Sequence, residues 1–192
     1  MAFPTSLLIN PGKACIAVWH NGRVSLRMKN AFIPMTIEET LRFALNAHEG
    51  QKDLVGNPAV LHLLAVCVAG KNELEQKAGL LHDIVEDTDV TLEDLRSEGV
   101  EEEVVEAVDL LTHREEDSYE EYVRKIAFSC NETAIRVKLH DLHHNLQRAE
   151  DAILTIDPSG QNTKALYDLI VDIAVMHQKA EAFIQDAILR RS

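Results

Sequence analysis

Apolar residues after residue 35 recur with the period of amphipathic helices. Ile37, Leu41, Ala44 and Leu45 follow one another every three or four positions, and the same period returns in later segments. Many short helices joined by short loops cannot all run parallel. The pattern therefore predicts an all-α orthogonal bundle with helices over residues 36–52, 59–69, 73–86, 101–112, 118–130, 132–149 and 163–190, and a short helix that starts at Thr91.

Residues 1–35 show a different pattern. Two short alternating segments, residues 15–19 and 23–27, flank the dipeptide Asn21-Gly22. Asn-Gly between such segments is typical of a hairpin turn. The pattern predicts a small β-hairpin packed on the helical body, with a partly disordered leader as the alternative. We therefore divide the sequence into an N-terminal extension, residues 1–35, and a helical domain, residues 36–192.

The acidic composition limits the kinds of partner that the protein can bind. The chain has 192 residues, of which 46% are hydrophobic, so it is long enough for one domain with a sizeable core. Its formal net charge of −13 argues against nonspecific nucleic-acid binding and against an anionic membrane surface. A small phosphorylated ligand remains compatible with this charge, because it needs only a local basic pocket.

The cysteines and the hydropathy predict a cytoplasmic protein. Cys15, Cys67 and Cys130 are scattered and lack C-x-x-C spacing, which favours a reducing compartment and argues against a thiolate metal site. No run of residues is apolar and long enough to span a membrane. The N-terminus also lacks the basic start and long apolar core of a signal peptide.

The stretch AGLLHDIVEDTDVT, residues 78–91, carries the candidate chemistry. It places four ionisable groups inside an apolar segment, namely His82, Asp83, Glu86 and Asp87. At about 100° per residue these groups share one side of a helix, and the apolar residues occupy the other. No lysine or arginine lies between residues 77 and 96, and a buried carboxylate needs a cation nearby. A bound metal ion is the simplest source of that charge; a solvated acidic face is the alternative.

A second polar face is predicted within residues 132–149. Asp141 and Asn145 are one helical turn apart and share a face that differs from the apolar seam. Lys138 and Arg148 belong to a local concentration of positive charge. These two side chains either bind phosphate or balance nearby acids, and the sequence favours neither role.

Four motifs, taken in their order along the chain, resemble those of a known protein family. They are Ala47-His48-Glu49-Gly50-Gln51, Gly56-x-Pro58-x-x-x-His62, Leu80-Leu81-His82-Asp83-x-x-Glu86-Asp87-Thr88 and Lys138-Leu139-His140-Asp141-x-x-x-Asn145. The set resembles the HD-domain metal-dependent phosphohydrolases. It is most similar to the hydrolase domain of RelA/SpoT homologues and to the stand-alone small alarmone hydrolases, over about residues 36–150. The resemblance implies an HD-domain bundle that removes the 3′-pyrophosphate from guanosine tetra- or pentaphosphate, a small phosphorylated nucleotide.

The resemblance also implies roles for individual residues. The metal ligands would be His62, His82, Asp83 and Asp141, and Mn²⁺ would be the cofactor. Glu86 and Asp87 would orient and deprotonate the attacking water, while Asn145 and Lys52 would contact the nucleotide. His48 is an alternative first ligand, but the matching position in the family favours His62. Imidazole and carboxylate ligands suit Mn²⁺, Fe²⁺ or Zn²⁺, in agreement with such a site.

The predicted pocket edge departs from the family. Gln51 stands where an arginine is usual, and Ala59 stands where a tyrosine is usual. Hydrolysis is therefore better supported than specificity for guanosine. Two alternatives follow: an HD phosphohydrolase for another nucleotide or phosphoester, and a non-catalytic nucleotide-sensing module.

Overall fold

The computed structural model describes residues 15–20, 23–28 and 34–191. Strands β1 (Cys15–His20) and β2 (Arg23–Met28) pair antiparallel, in a register that places Cys15 opposite Met28 and His20 opposite Arg23. The predicted Asn21-Gly22 turn lies outside the described residues. The strands and the helices belong to separate compact units, and the helical unit begins at Met35.

The helical unit confirms the predicted all-α class. Its helices are α1 (Ile37–Ala47), α2 (Val60–Ala69), α3 (Glu73–Leu81), α4 (Ile84–Asp87), α5 (Leu92–Glu98), α6 (Glu102–Leu111), α7 (Tyr119–Phe128), α8 (Glu132–Thr155) and α9 (Gln161–Leu189). Among the described residues, no helix combines the length and the hydropathy that a membrane span requires.

Local capping chemistry sets several helix starts. In α1 the Thr36 hydroxyl accepts a hydrogen bond from the Glu39 N–H, and the Glu39 carboxylate accepts one from the Thr36 N–H. Thr91 and Asp94 form the same reciprocal pair at α5. These bonds satisfy backbone donors that the helix itself leaves unpaired. The predicted starts at residues 36 and 91 therefore lie at N-caps.

Three predicted helices differ in extent from the observed ones. The first ends at Ala47 rather than near residue 52, because the chain turns at Gly50 with a φ of 78°, a conformation that favours glycine. The segment 73–86 is divided into α3 and α4, with His82 and Asp83 between them. The helix predicted over 132–149 continues to Thr155, since nothing interrupts it before the turn at Pro158.

Helix α3 lies at the centre of the helical unit and contacts α1, α2, α6 and α8. The end of α3 and the start of α4 are enclosed, because Leu80, Leu81 and Ile84 are each at most 1% exposed. Gly79 permits close approach of α2: a Cβ atom at this position would lie 3.0 Å from the backbone nitrogen of Cys67. This packing holds the turn after α3 next to α2 and α8, the helices that carry the other candidate ligands.

Candidate metal centre and active site

The structure brings together the four side chains expected to bind metal. His62 lies on α2, His82 and Asp83 lie between α3 and α4, and Asp141 lies on α8. The Nε2 atom of His62 is 3.1 Å from His82 Nε2 and 3.1 Å from Asp141 Oδ1. His82 Nε2 is 3.0 Å from Asp83 Oδ2, and the cross distances are 3.8 Å from His62 to Asp83 and 3.7 Å from His82 to Asp141.

These separations fit one divalent cation. Ligand atoms that bind a first-row ion at roughly 2.0–2.2 Å lie about 3–4.4 Å apart, depending on the angle between them at the ion. Within the described part of the chain, His62, His82 and Asp83 form a group whose ligand atoms all lie within 4.8 Å of one another. Two imidazole nitrogens that face each other at 3.1 Å need a proton or a cation between them. The donor set is therefore suited to a metal ion.

The outer nitrogen of each imidazole has a fixed partner. His82 Nδ1 lies 2.8 Å from the Gly79 carbonyl oxygen, which can only accept, so this nitrogen carries a proton. His62 Nδ1 lies 2.8 Å from Nδ1 of His144, a residue on α8. Partners of this kind orient a ligating imidazole and leave its other nitrogen free for the metal.

Asp141 is held at both of its carboxylate oxygens. Lys138 Nζ donates to Oδ2 at 2.7 Å, and Asn145 Nδ2 donates to Oδ1 at 2.6 Å. Lys138 is only 8% exposed, and its ammonium group lies 4.9 Å from the centre of the Tyr122 ring. Burial opposes the charged form of Lys138, but the Asp141 carboxylate outweighs it and holds the lysine pKa well above its usual value. Lys138 is therefore paired with the Asp141 carboxylate.

Glu86 and Asp87, within residues 78–91, face different cavities. Glu86 borders a cavity of about 210 Å³ that Lys138 and Asn145 also line. Asp87 borders a cavity of about 330 Å³ on the side of Gln51 and Lys52. Asp83 and His62 line both. The helical projection had placed both acids on one side of a single helix, but the break after Leu81 directs them to either side of the candidate ligands.

Both acids have properties of proton acceptors. Burial raises the pKa of Glu86, partly offset by a hydrogen bond from the His113 N–H at 3.0 Å, and Asp83 raises it further. Burial and Asp83 likewise raise the pKa of Asp87. A carboxylate with a raised pKa is a stronger base, because its proton affinity lies closer to that of the group it must deprotonate.

The remaining candidate residues surround the two cavities. Lys52 is exposed and lines the larger cavity. Arg148 borders both cavities, and it donates to Asp53 Oδ2 at 2.8 Å and to Asn145 Oδ1 at 3.2 Å. His48 is not a member of the group that His62, His82 and Asp83 form; it lines the larger cavity, and its Nδ1 bonds to Gln51 Oε1 at 2.7 Å. Gln51 in turn donates to the backbone oxygen of Asp87 at 2.8 Å.

Two residues of the smaller cavity were not identified from the sequence. Tyr119 on α7 and His177 on α9 line it. The Tyr119 hydroxyl and the His177 Nδ1 are buried and have no hydrogen-bond partner among the described residues. No motif includes them, since each lies in an ordinary amphipathic segment and reaches the site only through packing of α7 against α9. Buried polar atoms of this kind suit a ligand that brings its own polar groups.

Comparison with known proteins gives partial matches. No family model matches the chain. It is 36% identical over 122 residues to a protein named GTP pyrophosphokinase of Streptomyces coelicolor, which is 58% of this chain and 14% of that protein. It is 34% identical over 116 residues to the bifunctional (p)ppGpp synthase/hydrolase SpoT of Escherichia coli, which is 54% of this chain and 16% of SpoT.

Two further similarities are consistent with these. A guanosine-3′,5′-bis(diphosphate) 3′-pyrophosphohydrolase of Borreliella burgdorferi is 32% identical over 131 residues, which is 62% of this chain and 20% of that protein. A solved structure described as a metazoan ortholog of SpoT that hydrolyses ppGpp shares the fold, with a TM-score of 0.53 and 24% identity. That match covers 81% of this chain and 95% of the solved one. The chain spans about 14–20% of the curated relatives named above.

The chain therefore shares its fold with the solved SpoT ortholog, and it places His62, His82 and Asp83 close enough to hold one metal ion. Its sequence is similar to proteins named as (p)ppGpp hydrolases, in agreement with the resemblance that the motifs carry.

Proposed function

We propose that the protein is a metal-dependent phosphohydrolase that removes the 3′-pyrophosphate from guanosine tetra- or pentaphosphate. The observation that carries this proposal is the convergence of His62, His82, Asp83 and Asp141, with a base candidate on either side. Relatives named as (p)ppGpp hydrolases support the choice of substrate. The scattered cysteines support the cytoplasm as its compartment.

The four converging side chains would hold Mn²⁺. A divalent cation at such a site polarises a phosphoryl oxygen and lowers the pKa of a bound water. The two imidazoles present Nε2 inward, because Gly79 and His144 engage the Nδ1 atoms. Lys138 balances the charge of Asp141 from the opposite side, so the site does not depend on the cation alone for neutrality.

Glu86 and Asp87 together activate the attacking water. Glu86 shares its cavity with candidate ligands Asp83 and Asp141, and its raised pKa suits a base that accepts the proton of an attacking water. Asp87 plays the supporting role from the larger cavity, where it orients the water or the bound phosphate ester. Water adds to the phosphorus that is bonded to the ribose 3′-oxygen, and the carboxylate takes its proton. The bond from that phosphorus to the 3′-oxygen breaks, the 3′-oxygen takes up a proton in turn, and pyrophosphate is released.

Binding of the nucleotide is assigned to the larger cavity. Lys52, exposed at its edge, is free to contact a phosphate. Asn145, Lys138 and Arg148 border the smaller cavity, and their side chains are already bonded to Asp141, Asp53 or each other. Their contribution to substrate binding is therefore secondary to that of Lys52.

The test uses purified protein loaded with Mn²⁺ and mixed with guanosine tetraphosphate. We expect release of pyrophosphate, and we expect Asp83→Ala to abolish it. Asp89→Ala is the matched control, because Asp89 is an exposed acid in the same stretch and should leave the rate unchanged. No turnover by the metal-loaded wild type would reject this substrate.

Gln51 favours a second candidate, a phosphohydrolase for another nucleotide or phosphoester. Its amide group is occupied at both ends, by His48 and by the Asp87 backbone oxygen, so it does not replace an arginine at the pocket edge. A panel of phosphorylated substrates separates the candidates. Preference for a nucleoside monophosphate over guanosine tetraphosphate would favour the second.

A further inference from the structure

We propose that Asp53, Arg148 and Asn145 form a positioning relay that orients the Asp141 carboxylate for the metal ion. The relay is a chain of hydrogen bonds from the loop at residues 53–57 to a candidate ligand on α8. It rests on the proposed metal site, and it assigns to Arg148 and Asn145 a role that acts through Asp141 rather than through direct contact with substrate.

The relay begins at a carboxylate that the loop fixes in place. Asp53 Oδ1 accepts hydrogen bonds from the N–H groups of Val55 at 3.0 Å and Asn57 at 2.8 Å. Its Oδ2 accepts from Asn57 Nδ2 at 3.2 Å and from Arg148 Nη2 at 2.8 Å. Burial alone would raise the Asp53 pKa, but the donors from Asn57 and Arg148 lower it. Asp53 is therefore an ionised anchor whose acceptors are all used.

Arg148 fixes the direction of the next bond. A guanidinium group can only donate, so the atom of Asn145 that faces it at 3.2 Å must be the carbonyl oxygen. The amide nitrogen of Asn145 then points to Asp141 Oδ1, at 2.6 Å. A flipped amide would set its nitrogen against the guanidinium and its oxygen against the carboxylate. Two unfavourable contacts therefore oppose the flip, and Arg148 determines that Asn145 donates to Asp141.

The end of the relay is the oxygen that faces the imidazoles. Asp141 Oδ1 lies 3.1 Å from His62 Nε2, while Lys138 holds Oδ2. Because Asn145 engages only one lone pair of Oδ1, the other remains available on the side of the imidazoles. Asp53 and Arg148 are 95 residues apart in sequence, so the relay also ties the edge of the larger cavity to the ligand on α8.

The experiment measures the dissociation constant for Mn²⁺ by isothermal titration calorimetry, with thermal unfolding as the check of folding. Removal of groups that orient a metal ligand typically weakens binding about 10–100-fold. We expect a loss in this range for Arg148→Met and for Asn145→Ala. Arg148→Lys keeps a cationic donor and should restore most of the affinity. Arg190→Met is the control, because the Arg190 side chain is 77% exposed and its ion pair with Asp186 lies at the surface.

The double variant Arg148→Met/Asn145→Ala tests whether the two residues act in series. In a relay the second substitution adds nothing, so the double variant should bind Mn²⁺ as weakly as Asn145→Ala alone. Additive losses, or wild-type affinity in Arg148→Met, would overturn the relay while leaving the proposed function intact. Tight Mn²⁺ binding without hydrolysis of guanosine tetraphosphate would overturn the proposed function alone, and the affinity series would still decide the relay.

Discussion

His62 and His144 meet through their Nδ1 atoms, which are 2.8 Å apart. One proton has to lie between these two nitrogens. If His62 binds a cation through Nε2, its Nδ1 carries the proton and donates a hydrogen bond to Nδ1 of His144. Burial and the neighbouring His62 lower the pKa of His144, so the neutral ring needed for this acceptor is favoured. His144 thereby orients a candidate metal ligand that lies 82 residues away in sequence.

The first prediction concerns this pair. His144→Ala should weaken Mn²⁺ binding about 10–100-fold, because His62 loses the partner that fixes its tautomer and its ring plane. His143→Ala is the matched control, since His143 is the exposed neighbour and should bind Mn²⁺ like the wild type. Calorimetric titration of both variants checks this. Equal affinities for the two variants would contradict the assigned role.

The second prediction concerns pH. Burial would lower the pKa of His82, but the Asp83 and Asp141 carboxylates outweigh it and raise the pKa to about 10. Mn²⁺ has to displace this proton, so its apparent affinity should rise from pH 6 to pH 9 by up to about tenfold per unit. Titrations at fixed ionic strength measure the slope. An affinity independent of pH would contradict a protonated His82 in the metal-free site.

The raised pKa of His82 also makes the stability of the metal-free protein depend on pH. This stability falls as the pH rises, whereas the Mn²⁺ affinity increases. The folded pKa of His82 is above its unfolded value of 6.5, so its contribution is fully present below pH 6.5 and is lost as the pH rises toward 10. The melting temperature of the metal-free protein should therefore fall across this window. With saturating Mn²⁺ the fall should be smaller, because the cation replaces the proton.

The third prediction concerns the buried cation. Lys138→Met removes the ammonium group that lies 2.7 Å from the buried Asp141 carboxylate and leaves His82 as its remaining positive neighbour. Breaking a buried pair of this kind typically costs about 3–5 kcal/mol. We expect a loss of this size in the free energy of unfolding, measured by urea denaturation without metal. Lys125→Met is the control, because its pair with Asp117 involves a lysine that is 59% exposed, and such pairs contribute about 0–1 kcal/mol. Similar losses in both variants would show that Asp141 does not need Lys138.

The fourth prediction separates catalysis from metal binding. Glu86→Gln keeps the shape and removes the base, so kcat for pyrophosphate release should fall about 10²–10⁴-fold. Mn²⁺ affinity should change little, since the four converging side chains remain. Glu120→Gln, at an exposed position of α7, serves as the control. Full activity in Glu86→Gln would move the role of base to Asp87.

Local signals in the sequence predicted the helix starts better than the ends. Thr36 with Glu39 and Thr91 with Asp94 form their capping bonds within one turn, so the residues that decide these starts are adjacent in sequence. The end of α1 depends on the backbone at Gly50, and the end of α8 depends on where the next turn begins. The spacing of apolar residues predicts neither of these two helix ends.

The candidate ligands were recognisable because they lie in short motifs, whereas their supporting contacts are long-range. The structure brings His62, His82, Asp83 and Asp141 together. The bond from Arg148 to Asp53 joins positions 95 residues apart, and no local pattern marks either residue as a partner of the other. Tyr119 and His177 reach the smaller cavity only through helix packing. Sequence spacing therefore marks the candidate ligands but not the residues that contact them.

The fifth prediction follows from the packing of α2 against α3. Gly79 lies where a Cβ atom would come within 3.0–3.1 Å of the Cys67 backbone, which cannot move aside as a flexible side chain can. Gly79→Ala should push α2 from α3 and cost about 1–3 kcal/mol in the free energy of unfolding. Because α2 carries His62 and α3 leads to His82, the same shift should separate the two Nε2 atoms and weaken Mn²⁺ binding.

Gly160→Ala is the control for this substitution. A Cβ there would meet the Thr163 hydroxyl, the movable end of an exposed side chain, and Gly160 precedes α9 rather than joining two ligand-bearing helices. Urea denaturation and Mn²⁺ titration should both show near wild-type values for this variant. Were Gly79→Ala to lose stability but keep its Mn²⁺ affinity, the distance between α2 and α3 would not control the metal centre. The ligands would then be held mainly from α8, through Lys138, Asn145 and His144.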